Sequence, residues 1–370
     1  MHARRPGALH PWRAMRVAAA RCTGRRSANC APTIRANTAP HSHGGRLVRA
    51  VARIVTAHLR VYTGSMHDGI KPDIAFIGGG NMASALIGGL IRAGRAPARI
   101  LVIEPNDRQR ARLALQFGVL ALPVADATLA KAAAVVWAVK PQSFVAAARP
   151  CNPHVGRALQ LSVMAGIRTD ALVTATGSLR VVRAMPNTPA LIGMGIAGLF
   201  ATAAVDAADR STVEQILKPS GELLWVTQER DLDAVTALSG SGPAYVLYFI
   251  EAMIQAAGEM GLSVDQGRRL ALATFAGATA LAQQSEDSPA VLRERVTSKG
   301  GTTYAALMSM DKDAVKASFI RALHAAFVRA HELGDEFGAG TAAQGTNAAR
   351  DPAPRPQIPS RRASGSRQRP

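Results

Sequence analysis

Residues 73–83 read D-I-A-F-I-G-G-G-N-M-A. A short apolar run from Asp73 to Ile77 reaches three glycines, and a helical pattern from Met82 to Ala93 begins at once. Gly78, Gly80 and Ala83 give the spacing G-x-G-x-x-A in the strand–turn–helix setting that a dinucleotide loop needs. The first glycine permits the tight turn, and the second lets a pyrophosphate approach the backbone. The small third residue lets helix pack closely on strand. A glycine loop alone is a weak signal. Here further strands and helices alternate after it, which argues for a Rossmann-type α/β domain.

A second strand, Ile100–Ile103, ends at Glu104, followed by Pro105, Asn106, Asp107, Arg108 and, two residues on, Arg110. An acid placed there would hydrogen-bond ribose hydroxyls and repel a 2′-phosphate, favouring NAD(H). Arg108 and Arg110 would instead clamp that phosphate, favouring NADP(H). These residues leave the choice open. Further strands are expected at Val135–Val139, Leu159–Met164 and Val181–Met185. The first runs into Lys140-Pro141-Gln142 at the carboxyl edge, where ligands bind in open α/β sheets. Lys140 is read as a contact to cofactor or to a substrate carboxylate, against the alternative of an ordinary exposed lysine. The small-residue loop at Ala165 and Gly166 is expected to bring backbone near the ligand. Asn187 sits between two prolines on a stiffened strand end, suited to hydrogen-bonding nicotinamide or substrate, or simply a turn.

From Asp231 onward the pattern is helical. A helix-like run, Asp233–Leu238, meets a flexible turn, Ser239 to Tyr245, that opens a helix to about Met260. Ser263 and Gln266 form a capping box for a helix to about Gln284, and Ser288-Pro289 opens another over Ala290–Val296. The stretch V-T-S-K-G-G-T-T, residues 296–303, turns onto a short helix, Thr302–Met310, and a last amphipathic helix spans about Ala314–Leu333. Such a glycine turn at a helix start offers unpaired N–H groups and hydroxyls to an anion. A dinucleotide loop and a carboxylate nest on one chain together suggest a reductase of a small acid. Wide apolar stripes on an all-helical half are commonly buried against a second subunit.

The formal charge of +19 would point to nucleic acid, but its distribution does not. Residues 1–65 hold twelve arginines and no Asp, Glu or Lys; residues 339–370 hold six arginines and one aspartate. Between them 26 basic residues face 24 acidic ones, net +2. Both ends are expected to be unfolded, apart from a short amphipathic segment at Leu47–Tyr62. The first 65 residues are taken as an extension upstream of a start at Met66, although their composition also fits a transit peptide. Domains are therefore expected at 66–228 (Rossmann) and 229–338 (helical, substrate and dimerisation), with 339–370 a basic tail. Three cysteines, of which only Cys151 lies outside the N-terminal extension, give neither a disulfide framework nor a metal site. The most apolar stretch, Ala244–Met260, carries Glu251, Gln255 and Glu259 and reads as a buried helix rather than a membrane span. No nucleic acid, membrane or metal partner is expected, and the cytoplasm is the expected compartment.

Five motifs now stand in order: F-I-G-G-G-N-M-A-S-A-L-I-G-G-L from Phe76, A-V-K-P-Q from Ala138, R-A-M-P-N-T-P-A from Arg183, D-A-V-T-A-L-S-G-S-G-P-A-Y from Asp233, and V-T-S-K-G-G-T-T-Y-A-A-L from Val296. Together, from about Asp73 to Phe337, they resemble Δ1-pyrroline-5-carboxylate reductase. The resemblance implies a Rossmann domain joined to a helical domain that forms homodimers, which commonly assemble into decamers. It implies reduction of pyrroline-5-carboxylate to L-proline, the last step of proline biosynthesis, with NADP(H) as the preferred cofactor and NAD(H) as the alternative. By the same resemblance Ile77, Gly78, Gly79, Gly80, Asn81 and Met82 hold the pyrophosphate, and Ala138, Val139, Lys140 and Pro141 the nicotinamide side. Glu229 and Ser241 fall near the substrate, and Gly300, Gly301, Thr302 and Thr303 bind its carboxylate and ring. One departure is visible. The common turn has proline where this chain has Lys299, which adds flexibility and a charge beside the carboxylate seat.

His154 and His324 are isolated, so no histidine is assigned to protonating the imine. Thr303 is the candidate for holding the ring nitrogen and its proton, against the plainer role of capping its helix. A rival reading, a β-hydroxyacid-type dehydrogenase, needs a catalytic lysine on a helix of the second half. Only Lys312 and Lys316 follow Lys299, and neither has the expected glycine-flanked setting. A nucleic-acid binder acting through its tails is the other rival, disfavoured by where the arginines lie.

Overall fold

The computed structural model describes residues 72–345, which form one compact unit. The expectations for residues 1–65, and for the tail from residue 346, fall outside the described residues.

Eight strands form one sheet: β1 (Ile74–Ile77), β2 (Ile100–Ile103), β3 (Leu120–Leu122), β4 (Ala134–Trp137), β5 (Leu159–Ser162), β6 (Val181–Met185), β7 (Gly195–Ala201) and β8 (Gly221–Trp225). Their spatial order is β3-β2-β1-β4-β5-β6-β7-β8, parallel throughout except where β6 meets β7. The chain leaves β1 toward β2 and β3, then returns to β4 on the other side of β1. That reversal opens a crevice at the carboxyl ends of β1 and β4, the ligand position in open α/β sheets.

Both sheet faces are buried because alternate strand residues point to opposite sides. Phe76, Val102, Val136, Leu161 and Val182 pack under helices α1 (Asn81–Arg92), α2 (Asp107–Phe117) and, further along, α5 (Ala207–Leu217). Ile77, Leu101, Val135 and Trp137 pack under α3 (Phe144–Val155) and α4 (Thr169–Thr176). Trp137 meets Phe144 edge-on, and its indole N–H donates to buried Gln160, whose amide donates in turn to the carbonyls of Val155 and Ala158. Cys151 lies in this second core, where burial pushes its thiol up to about 11, so it stays protonated and inert at neutral pH.

Three strands depart from the expected pattern. β3 has only three residues, and β8 is a half-exposed edge strand. β7, Gly195–Ala201, contains two glycines because other chain segments lie against it. A Cβ on Gly195 would sit 2.8 Å from the Ala190 nitrogen, and one on Gly198 2.8 Å from a methyl of Val235. Glycine there marks close approach rather than a turn.

The remaining helices are α6 (Asp231–Val235), α7 (Gly242–Glu259), α8 (Val264–Gln284), α9 (Pro289–Arg295), α10 (Thr302–Lys312) and α11 (Val315–Gly345). The capping box at Ser263 and Gln266 is formed, and the Ser288 hydroxyl caps α9. Two expectations are corrected. The turn after α6 is one π-helical turn, Thr236–Gly240, rather than a free loop. The last helix continues past Leu333 to Gly345, through residues assigned above to the tail. Across α7 to α11 the described apolar side chains are largely exposed, among them Tyr248, Met260, Leu270, Met308, Ile320 and Phe327. An exposed apolar area of this extent marks an association surface.

Candidate active site

The site is built at the crevice between β1 and β4. The Gly78 N–H donates to the Ile103 carbonyl, and the Ala138 N–H to the Ile77 carbonyl, so both strand ends are locked to the sheet. Gly78 has φ +95, a region open mainly to glycine. A Cβ on it would lie 2.8 Å from the Ala138 carbonyl oxygen. Gly80 is different: nothing lies within 4 Å of its Cβ position. It is the N-cap of α1, which has no side-chain cap and no acid in its first turn. The first amides of α1 therefore lie at the positive end of a helix that no side chain caps, a setting suited to an anion such as a pyrophosphate. Ala138 and Val139 form the opposite lip. Lys140 is exposed at the start of a short 3-10 turn that begins with Pro141.

Glu104 reaches the glycine turn itself. Its Oε2 accepts from the Gly79 N–H at 2.8 Å and its Oε1 from the Asn106 N–H at 2.9 Å. Arg110 is held by the Glu104 and Pro105 carbonyls and by Asp107, whereas Arg108 is exposed. Gly166 (φ +75) lies under the last helix: its Cβ would be 2.8 Å from the Phe337 ring. Packing against α11 accounts for glycine at that position. Ala165 beside it is half-buried.

Next along the same sheet edge, the Asn187 side chain accepts from the Ile196 N–H and donates to the Ser239 hydroxyl at 3.2 Å. That bond brings the π turn and the start of α7 to the end of β6. Ser241 is the N-cap of α7; its hydroxyl makes no capping hydrogen bond, and the helix's first turn carries no acid. Glu229 makes three contacts: from the Thr169 N–H at 2.8 Å, the Thr169 hydroxyl at 2.6 Å and the Arg183 guanidinium at 3.2 Å. Within this chain it braces α4 from outside. Thr169 and Arg183, which hold it, were not singled out in the sequence, because only the fold brings positions 46 to 60 residues away onto one carboxylate.

The turn at residues 298–303 is separate. Gly301 donates to the Ser298 carbonyl at 3.0 Å, Gly300 has φ +75, and Lys299 is not among the positive-φ residues. Those features define a type II turn with Lys299 at its second position. The Gly301 amide is thus engaged in the turn, which leaves Gly300 and the first amides of α10 as donors to an anion. Every hydrogen bond recorded for residues 296–305 is local, and α10 packs on α11. Among the described residues no hydrogen bond ties Thr302 or Thr303 to the glycine loop. Proline suits the second position of this turn, so Lys299→Pro is expected to stabilise the chain by about 0.4–1 kcal/mol. Urea unfolding checks it: the midpoint rises with unchanged slope, and a lower midpoint refutes the turn assignment.

Among the described residues no cluster of His, Cys, Asp and Glu is arranged to hold a metal, and no helix is long and apolar enough to cross a membrane.

Comparison with known proteins bears on the whole described region. The family described as pyrroline-5-carboxylate reductase dimerisation matches residues 229–333, and that described as NADP oxidoreductase, coenzyme F420-dependent, matches residues 73–166. The chain is similar to the pyrroline-5-carboxylate reductase of Pseudomonas aeruginosa, with 43% identity over 269 residues, 72% of this chain and 98% of that protein. Among solved structures it is similar to the pyrroline-5-carboxylate reductase of Coxiella burnetii, with TM-score 0.67 and 35% identity over 71% of this chain and 98% of that one. It is also similar to the Plasmodium falciparum pyrroline carboxylate reductase with NADP bound, with TM-score 0.65 and 28% identity over 72% of this chain and 99% of that one.

Proposed function

The chain belongs to the pyrroline-5-carboxylate reductase family, and from that premise we propose that it reduces L-1-pyrroline-5-carboxylate to L-proline, the last step of proline biosynthesis. A nicotinamide dinucleotide supplies the hydride. The observation that carries the reading is the uncapped, acid-free start of α1 behind Gly78 and Gly80, adjoining the Ala138–Pro141 lip.

The residues of the chain act by placement. We assign the amides of Asn81 and Met82 to the pyrophosphate and Ala138, Val139 and Lys140 to the nicotinamide side. Hydride transfer needs reacting carbons about 3–3.5 Å apart, so orientation contributes much of the rate. The Ser241 hydroxyl and the start of α7, next to Asn187, make one anion seat at the sheet edge of the same chain. The Gly300–Thr303 turn makes a second on the helical arm, and it meets a glycine loop only across a subunit contact. We therefore propose that the substrate lies between the sheet edge of one copy and the helical arm of another. Thr303 Oγ1 would hold the ring nitrogen; a threonine hydroxyl is a weak acid, so it orients a proton drawn from solvent rather than supplying it.

The chain is a homo-oligomer through its helical domain, and we propose dimers that assemble into decamers, countable by sedimentation. NADP(H) is the proposed preferred cofactor, supported by exposed Arg108 just beyond the second strand, with NAD(H) as the alternative. The cytoplasm is the proposed compartment. One assay tests the function: the full chain should oxidise NADPH, and more slowly NADH, only when pyrroline-5-carboxylate is present. Absence of substrate-dependent oxidation with both cofactors would sink the reading.

A further inference from the structure

The acid after β2 does something other than what its position in the sequence suggests. Glu104 accepts from the Gly79 N–H at 2.8 Å, while Gln109, in the first turn of α2, donates its side-chain amide to the Gly79 carbonyl at 2.5 Å. The two side chains thus hold the peptides on either side of the Gly79 Cα. They are also tied to each other through Asn106. Its N–H donates to Glu104 Oε1 at 2.9 Å, and its side-chain oxygen accepts from the Gln109 N–H at 3.0 Å, capping α2. The Gly79 Cα itself packs against α2, since a Cβ there would lie 2.5 Å from a methyl of Leu113. One residue later, Gly80 faces open space. The middle glycine is therefore fixed on three sides, and the helix-start amides beyond it inherit that orientation.

We propose that Glu104 and Gln109 are positioning residues of the dinucleotide site, holding the glycine turn in its binding shape before the dinucleotide arrives, and that Glu104 is not the reader of the ribose. This rests on the dinucleotide site assigned above. Three consecutive glycines have the largest conformational freedom a chain can have, and a turn that must be ordered on binding loses affinity. The clamp removes that loss. It acts on the pyrophosphate seat, which NADPH and NADH share, so it does not discriminate between them.

The test uses the full chain and dinucleotide fluorescence, with Glu104→Gln and Gln109→Leu. Glutamine at 104 replaces one of the two accepting oxygens by an NH2 that only donates, so the bridge in which Oε2 accepts from Gly79 and Oε1 from Asn106 is broken. Leucine at 109 removes the donor at similar size. Each variant should raise Kd for NADPH and for NADH by about tenfold, by the same factor for both, the loss of roughly one charged or well-placed hydrogen bond. KM for pyrroline-5-carboxylate at saturating dinucleotide should stay within about twofold, which a general loosening of the fold would not allow. A ribose-reading Glu104 predicts otherwise: neutralising it relieves repulsion of a 2′-phosphate, and the ratio of the two Kd values moves toward NADPH. A ratio shift of about tenfold, or parent-like Kd values in both variants, overturns the proposal. A parent chain that binds neither dinucleotide overturns the site assignment beneath it.

Discussion

Replacing Gly78 by alanine is expected to raise Kd for the dinucleotide by about 100-fold, while the same change at Gly80 leaves folding untouched and weakens binding through the ligand alone. Gly78 sits at φ +95, and an added Cβ would lie 2.8 Å from the Ala138 oxygen and 2.9 Å from a methyl of Val139. The left-handed backbone costs a residue with a Cβ about 1–2 kcal/mol, and overpacking about 1–3 kcal/mol more. Relief of both means moving β1 away from β4, which opens the lip assigned above to the nicotinamide side. About 3 kcal/mol of strain released that way corresponds to roughly two orders of magnitude in Kd. Gly80 has φ −68, and nothing lies within 4 Å of its Cβ position, so alanine there meets only the pyrophosphate. Thermal unfolding and dinucleotide fluorescence on both variants separate the effects. Gly78→Ala should unfold earlier and bind poorly; Gly80→Ala should unfold like the parent and still bind less tightly. Parent-like binding by Gly78→Ala would refute the crevice as the dinucleotide site.

These two glycines illustrate what a linear reading can reach. Their roles follow from spacing and from the strand and helix on either side, and the strand ends at Ile77, Ile103 and Met185 were legible because each is a short, mainly apolar run stopped by a glycine, an acid or a proline. β7 was not legible, because its glycines answer to Ala190, Ser220 and Val235, which touch it only in the fold. Gly166 is a similar case: its lack of a side chain answers to Phe337, more than 170 residues away. Glu104 shows a subtler limit. An acid after the second strand was visible, but whether it faces ribose or glycine turn depends on Gln109 and Asn106, whose side chains are ordinary helix-start residues when read alone. Glu229, which the resemblance places near the substrate, has partners in Thr169 and Arg183 that only the fold reveals.

The other large effect concerns assembly. Ile320→Asp combined with Phe327→Asp is expected to yield a folded monomer whose reductase activity is at least about 100-fold below the parent, with dinucleotide Kd within about twofold. The two residues are seven apart on α11, hence on one face, and are 44% and 41% exposed. Burying an Ile or Phe side chain stabilises an interface by about 1.5–3 kcal/mol each. Two carboxylates left unpaired there would cost several kcal/mol per copy, and in a two-fold interface every substitution counts twice. Folding of the α/β half does not depend on these side chains, since the two sheet cores contain neither. The dinucleotide crevice lies wholly within the α/β half, so its affinity should survive. The Gly300–Thr303 turn has only local hydrogen bonds among the described residues, and in the proposed site a second copy presents it to the crevice. Sedimentation measures the first outcome, fluorescence the second and substrate-dependent NADPH oxidation the third. A monomer that keeps parent-like activity would show that one chain holds a complete site, and would leave the Ser241 seat beside Asn187 as its carboxylate anchor.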